Sequence, residues 1–299
     1  MRTHVGSVGL VIAGDPANGF IYPAHIERSG IDALPARPGV YVFRGQAGDP
    51  LYVGKSVNIR ARVLAHLRTP DEARLLRRTA RISFERTAGE IGALLLESQR
   101  IKQWQPEFNR KLRRVRQMCS LSLQGAVPQV VFARDSDFAV TAGLYGLFSS
   151  KRGALDALRN IVLEHQLCPV VTGLESGPSG RPCFAYQIAR CRGACCGHET
   201  AAQHGARLRA ALELLRIVAW PFGGAVTIVE ECDGWRQGHL VDRWCYLGAV
   251  GAEQGEAHNG DSNELRFDMD VYQILLKPML LGSLTIEAFT GPARLRSHS

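Results

Sequence analysis

The sequence predicts an α+β protein: a compact ββααβα unit first, then a mixed α/β region that contains a cysteine-rich stretch. Three observations carry this. Two short β-type runs, GVYVF at Gly39–Phe43 and LYVG at Leu51–Gly54, are separated by the turn-rich RGQAGDP. Apolar residues then recur at helical spacing around Ile59 and again around Leu94, on either side of a third alternating run, RISFER at Arg81–Arg86. Further on, five of the eight cysteines fall between Cys168 and Cys196.

Residues 1–34 show weak periodicity and read as a lead-in. Pro35 and Pro38 punctuate the entry to the first strand, expected at about 40–44, with the second at about 51–54. Ser56–Arg68 reads as a basic helix with Ile59, Val63 and Leu67 on one face. Thr69-Pro70-Asp71-Glu72 predicts a further helix start, with proline first and acids in the opening turn. Thr87-Ala88-Gly89-Glu90 has capping-box spacing, which gives Glu90 a structural role and opens a helix through Ile91, Leu94, Leu95 and Ile101. Pro106 closes it, and the first domain runs over 35–118. Residues 119–299 are expected to form the second domain. There, Ser149–His165 and Thr200–Val218 read as helices, Gly173–Gly180 as a loop, and GGAVTIV and WCYLGAV as strand-like pieces. The tail beyond Pro292 is expected to fray.

The chain has 299 residues, 45% apolar and 21% charged, as in ordinary globular proteins. The apolar run Val8–Gly14 is too short to span a bilayer, and the first segment lacks a basic start with a clear cleavage site. A cytoplasmic protein with no membrane role is expected. The net charge of +8 is unevenly spread: residues 1–118 hold 20 Lys/Arg against 10 Asp/Glu, and residues 119–299 hold 16 against 18. The positive field belongs to the half with the tyrosine-bearing strands and suits a polyanion such as nucleic acid.

Adjacent strands lie about 4.8 Å apart, so Tyr41 and Tyr52 can direct their phenols into one pocket. Lys55 is expected just beyond the second strand, bringing a positive charge alongside. Arg62 and His66 are four residues apart and share a helical face. Glu97 lies among leucines in LLLES, where a carboxylate is a candidate ligand for a hard cation such as Mg²⁺ or Mn²⁺. Asn109 follows in PEFN. Each of these residues alone has an ordinary structural reading, such as strand packing for a tyrosine or a solvated surface for a lysine. A phenol has a pKa near 10, so a phenolate at pH 7 requires a drop of roughly three units, about 4 kcal/mol. A close cation together with a metal meets that demand. The run Arg110–Arg116 puts five basic side chains in seven residues. Arg110, Lys111, Arg113, Arg114 and Arg116, with Lys55, Arg60 and Arg62, are candidate phosphate contacts, which carry affinity without sequence information.

Gly-x-Tyr41, Tyr52-x-Gly-Lys55, Asn58-x-x-x-Arg62, helical Glu97 and Pro106-x-x-Asn109 resemble, in order and spacing, the signature of the GIY-YIG nuclease family, with valine in place of isoleucine in both halves. PARPGVYVF, YVGKSVNIRARVLAHL, AGEIGALLLESQRIK and PEFN further resemble the 3′-incising half of the UvrC-type excision nucleases. The histidine in VLAHL, where many UvrC proteins have tyrosine, is similar to the shorter Cho-type branch. No helix-hairpin-helix pair or second nuclease domain is found, which also fits that branch.

The resemblance implies roles for these residues. Tyr52 would be the general base toward the attacking water, with Tyr41 orienting it and Lys55 favouring the deprotonated state. Arg62 would stabilise charge on phosphorus, and Glu97 would hold one divalent ion. Asn109 would position the loop or the ion's water shell, and His66 would take the supporting role of the relatives' tyrosine. The implied partners are damaged double-stranded DNA and UvrB, whose contact falls to 119–299 because catalysis occupies the first domain.

Cys168, Cys183, Cys191 and Cys195 are separated by fourteen, seven and three residues, with Cys196 adjacent. Four thiolates suit zinc or an iron–sulfur cluster. The resemblance to UvrC, which has a cysteine-rich stretch there, implies a [4Fe–4S] cluster, with zinc as the alternative. Cys119, Cys232 and Cys245 read as isolated core residues. Two other functions compete. One is a free-standing nuclease on branched or flapped DNA, marked by cutting without UvrB. The other is a redox-sensing DNA-bound cluster protein with a vestigial nuclease site, against which the intact Tyr41, Tyr52, Arg62 and Glu97 argue.

Overall fold

Alternation along one strand organises the first domain. In a computed structural model of the chain, which describes residues 12–14, 21–109, 118–177, 180–250 and 266–289, strand β3 (Gly39–Arg44) is the middle of three. Antiparallel β4 (Pro50–Ser56) and β5 (Arg81–Arg86) flank it. Successive side chains of a strand face opposite ways. Tyr41 and Phe43 therefore enter one core with Leu51, Ile59, Val63 and Leu67, while Val40 and Val42 enter another with Val53, Leu96 and Ile101. The first core is closed by α2 (Ile59–Arg68) and α3 (Ala73–Arg78), the second by α4 (Glu90–Trp104). Ahead of the sheet stand a two-stranded ribbon, β1 (Ile12–Gly14) and β2 (Ile21–Pro23), and the short α1 (Arg28–Asp32).

Three local expectations need correction. Lys55 lies inside β4, because Val40 pairs with Lys55 and Gly39 with Ser56. Helix α2 starts at Ile59 rather than Ser56, because Asn58 caps it, its Oδ1 accepting from Ala61 N at 2.9 Å. The capping box at Thr87–Glu90 does not form: Thr87 Oγ1 donates to Gly89 O, and the first amides of α4 find their acceptor elsewhere. A capping box does form at Thr200, whose hydroxyl accepts from Gln203 N at 3.2 Å.

The second half holds two sheets. β6 (Cys119–Ser122), β7 (Gln129–Phe132) and β8 (Leu144–Phe148) form an antiparallel sheet in the order β7-β6-β8. Against it pack α5 (Lys151–Glu164) and, beyond the short α6 (Phe184–Gln187), α7 (Ala201–Leu212). β9 (Val226–Cys232), β10 (Trp235–Asp242), β11 (Cys245–Val250) and β12 (Thr285–Ala288) form the other, in the order β11-β10-β9-β12. Helix α8 (Met269–Leu280) covers it with Val271, Tyr272 and Leu275. That core, centred on the fully buried Trp244, also takes in Leu95 of α4. Helix α4 is thus packed on both sides, by the first sheet and by the last. No helix among the described residues is long and apolar enough to cross a membrane. The candidate DNA-contacting run Arg110–Arg116 and the tail beyond Pro292 lie outside the described residues.

Candidate functional site

The register of β3 and β4 brings the two tyrosines together. Tyr41 pairs with Gly54, and Tyr52 with Phe43. The tyrosine ring centroids lie 6.3 Å apart. A Cβ at position 54 would overlap the Tyr41 hydroxyl and fall 2.9 Å from Tyr52 Cε1, so the glycine after the second tyrosine is a steric requirement. Helix α2 lays His66 across the pair, its ring centroid 5.5 Å from those of Tyr41, Phe43 and Tyr52. His66 Nε2 is 2.7 Å from the Tyr41 hydroxyl, and its Nδ1 is 3.1 Å from Glu72 Oε1. One turn earlier on α2 stands the exposed Arg62, whose charge acts on the Tyr41 and Tyr52 phenols. Arg60, also exposed, reaches Asp32 O at 3.4 Å.

The other residues approach from α4 and the following turn. Glu97 is half-buried, and its Oε1 accepts from Lys55 N at 3.0 Å. Its second oxygen has no hydrogen-bond partner among the described residues, an arrangement that leaves it open to a hard cation. The Lys55 ammonium does not turn to the tyrosines: Nζ is 2.5 Å from Glu90 Oε1. Asn109 is spent on the backbone, accepting from Val53 N at 2.9 Å and donating to Val53 O at 2.8 Å. With Phe108 N donating to Leu51 O at 2.9 Å, this turn closes the outer edge of β4.

Burial pushes the Tyr41 phenol well above its ordinary value, Tyr52 and Glu97 add to the shift, and the neighbouring Arg62 opposes it. Tyr52 is raised for the same reason, with Glu97 adding and Arg62 opposing. Burial also raises Glu97 against the pull of the Lys55 amide and of the Lys55 and Arg62 charges. Burial lowers His66 against Glu72, so its imidazole is neutral at pH 7. The cation that acts on both phenols is Arg62.

The cysteines gather as their spacing predicted. The sulfurs of Cys168, Cys183, Cys191 and Cys195 all lie within 4.8 Å of one another. Cys168 follows α5, where its amide donates to His204 Nε2 at 3.0 Å. Cys183 caps α6, and Gly193, at a φ of 84°, turns the chain between Cys191 and Cys195. Gly193 N donates to Cys191 Sγ at 3.2 Å, and Cys183 N to Cys195 Sγ at 3.4 Å. Cys196 Sγ turns away to Gly193 O. Burial pushes Cys191 up to about 12 and raises Cys183 as well. Cys195 goes the other way: burial raises it, but hydrogen bonds from the Cys183 amide and neighbouring thiols outweigh that. A single ion with metal–sulfur bonds of about 2.3 Å sets tetrahedral sulfurs roughly 3.8 Å apart, so the tetrad fits one ion after a small inward shift.

Two further groups carry no signal in their own segments. Glu72 stands in the acidic opening turn its segment predicts, and its carboxylate also meets His66. Glu230 of β9 caps α4, its carboxylate accepting from Ile91 N at 2.9 Å and Gly92 N at 2.7 Å. Gln237 Oε1 accepts from Ala88 N at 3.0 Å, and the buried His239 lies 3.5 Å from Glu230. Lys102 on the same helix reaches Asp268 and Asp270, each at 2.6 Å. The helix that carries Glu97 is therefore held by the last sheet.

Comparison with known proteins gives this arrangement a lineage. A family model described as the UvrC-like GIY-YIG domain matches residues 37–110, and one described as the UvrC/Cho excinuclease middle domain matches 118–214. A third, described as the excinuclease Cho C-terminal domain, matches 225–293. Excinuclease Cho of Escherichia coli strain K12 is 50% identical over 268 residues, covering 89% of this chain and 90% of that protein. The chain belongs to the UvrC/Cho excinuclease family. Within that family, the UvrABC system protein C of Jannaschia sp. is 33% identical over 67% of this chain and 33% of its own length. A crystal structure of the GIY-YIG N-terminal endonuclease domain of UvrC from Thermotoga maritima, bound to magnesium, is 30% identical. It covers 27% of this chain and 93% of that one, with a TM-score of 0.26. The tyrosine site lies in the first matched region of this UvrC-like endonuclease, the tetrad in the second, and the cap on α4 in the third.

Proposed function

We propose that this protein is a divalent-metal-dependent DNA endonuclease that makes the 3′ incision beside bulky lesions in nucleotide excision repair, leaving a 3′-hydroxyl and a 5′-phosphate. It acts on damaged DNA already held by UvrB. The observation that carries this is the convergence of Tyr41, Tyr52, Arg62, His66 and Glu97 in a chain matched along its length by excinuclease domains.

Glu97 would hold the divalent ion, Mg²⁺ or Mn²⁺, with the oxygen that the Lys55 amide leaves open. When bound, that ion supplies Lewis-acid stabilisation of the leaving oxygen. Tyr52, only half-buried, faces the attacking water as the general base. Burial raises both phenols and the Glu97 charge adds to it, so neutralising that charge relieves part of the rise, while Arg62 already opposes it. Tyr41, fully buried, orients the centre from behind. Arg62, exposed and next to both phenols, meets the scissile phosphate and the charge that builds on it. Asn109 acts by fixing β4, the strand that bears Tyr52. Lys55, held by Glu90, contributes phosphate attraction at the rim, as does Arg60, and the basic sequence Arg110–Arg116 adds charge for the same polyanion.

The tetrad holds a structural metal centre. We read it as a [4Fe–4S] cluster, as the resemblance implies, with a single tetrahedral zinc ion as the alternative; four converging thiols suit either. Iron, sulfide and zinc analysis after anaerobic purification decides between them. The function is tested by incision of a lesion-containing duplex with and without UvrB, mapping the cut. A UvrB-dependent nick on the 3′ side is expected. Strong cutting of undamaged branched DNA without UvrB would replace this reading with that of a free-standing nuclease.

A further inference from the structure

We infer that Glu72 is a positioning residue: it fixes which ring nitrogen of His66 carries the proton, and thereby the direction of every hydrogen bond at the Tyr41 hydroxyl. This rests on the reading of Tyr41 as part of the nuclease site. Glu72 Oε1 is 3.1 Å from His66 Nδ1, and the Tyr41 hydroxyl is 2.7 Å from Nε2. An ionised carboxylate only accepts, so Nδ1 bears the hydrogen. A neutral imidazole then has a lone pair at Nε2, which takes the Tyr41 hydrogen. The two bonds are compatible in one arrangement: Nδ1–H to Glu72 and Tyr41 O–H to Nε2. The Tyr41 oxygen then turns lone pairs, not its hydrogen, to the neighbouring Arg62 charge, which acts on both phenols. With the other tautomer, Nε2–H would donate to the Tyr41 oxygen and the phenol hydrogen would have to turn away from His66.

The backbone delivers Glu72 to this place. Helix α2 ends at Arg68, and Thr69 Oγ1 turns back to Ala65 O at 2.8 Å. Pro70 opens a single 3-10 turn, Pro70–Glu72, that brings residue 72 beneath residue 66. The His66 side chain is 6% exposed and that of Glu72 32%, so solvent does not substitute for the carboxylate at Nδ1.

The test is side-chain ¹⁵N NMR on the full-length protein labelled at its nine histidines, with His66 assigned from the signal missing in His66→Gln. The expected wild-type result is a single Nδ1–H tautomer. Glu72→Ala is expected to mix the tautomers and to lower incision turnover roughly 10- to 100-fold at an unchanged KM for DNA. Glu72→Gln keeps an acceptor oxygen and is expected to restore most of both, which also covers the case in which the alanine variant folds poorly. An Nε2–H wild type, an unchanged tautomer in Glu72→Ala, or an altered tautomer with unaltered turnover would each overturn the inference. Tyr41→Phe and Glu97→Ala in the same assay separate the two readings. If both still cut, the nuclease site is wrong while the tautomer result stands.

Discussion

The tyrosine site and the cysteine tetrad are both polar clusters that the sequence marks by spacing, yet they are satisfied in opposite ways. At the tyrosine site the polar atoms already hold one another. Tyr41 is on His66, His66 on Glu72, Glu97 on the Lys55 amide and Asn109 on Val53. At the tetrad, four sulfurs converge within 4.8 Å; burial pushes the Cys191 and Cys183 thiols up, and hydrogen bonds pull Cys195 down. The first is organised by side chains and presents one open carboxylate oxygen. The second brings four possible ligand atoms together around one point, as a metal centre would require. Removing a group should therefore cost the first cluster its rate and the second its fold.

The largest effect is expected at Glu97. Glu97→Ala should reduce incision about 10³-fold or more while DNA binding and melting temperature hold, since it removes the carboxylate proposed to hold the ion. A variant that cuts normally would make the tyrosine site a packing cluster. Tyr52→Phe should follow, with a loss of roughly 10²- to 10⁴-fold, the usual worth of a general base. Cys191→Ser is expected to do the reverse. It should remove the bound metal, on metal analysis, and lower stability by about 3 kcal/mol or more, because metal binding to thiolates is coupled to folding. Equal loss of rate and stability at both clusters would erase the contrast.

How much was legible follows the same division between local and distant partners. Tyr41, Tyr52, Arg62 and His66 are set by strand alternation and one helical turn, so their meeting could be read from spacing. The cysteines could be read because five of the eight fall within one short stretch, Cys168–Cys196. Lys55 was placed beside the phenols, but a lysine's direction depends on where an acid stands, and Glu90 becomes available only because the capping box does not form. Strand β10, with Gly238 and His239 in its middle, lacks plain alternation. Its identity depends on pairing with β9 and β11. Glu230 is 138 residues from the amide it caps, a separation that no local pattern encodes.

That distant cap also gives the smallest expected effect, and it tests whether the tyrosine site is self-sufficient. A side chain at Gly92 would collide with His239, so α4 is shaped to receive the last sheet. Glu230 is 15% exposed. Burial raises its carboxyl, but His239 and the amides of Gly92 and Ile91 outweigh that and hold it below the usual carboxylate range. The sign follows: the ionised cap contributes fully above the unfolded pKa of about 4.3, and its contribution fades as pH falls through the lower folded value. Glu230→Gln keeps an acceptor and loses the charge, so it should cost about 1–2 kcal/mol at pH 7. Denaturant unfolding of both proteins at pH 7, 5 and below 4 checks this. The gap should be constant between pH 7 and 5 and narrow below about pH 4. Because α4 carries Glu97, incision should fall a few-fold in the same variant. Unchanged incision with the expected loss of stability would show that the first domain positions Glu97 by itself.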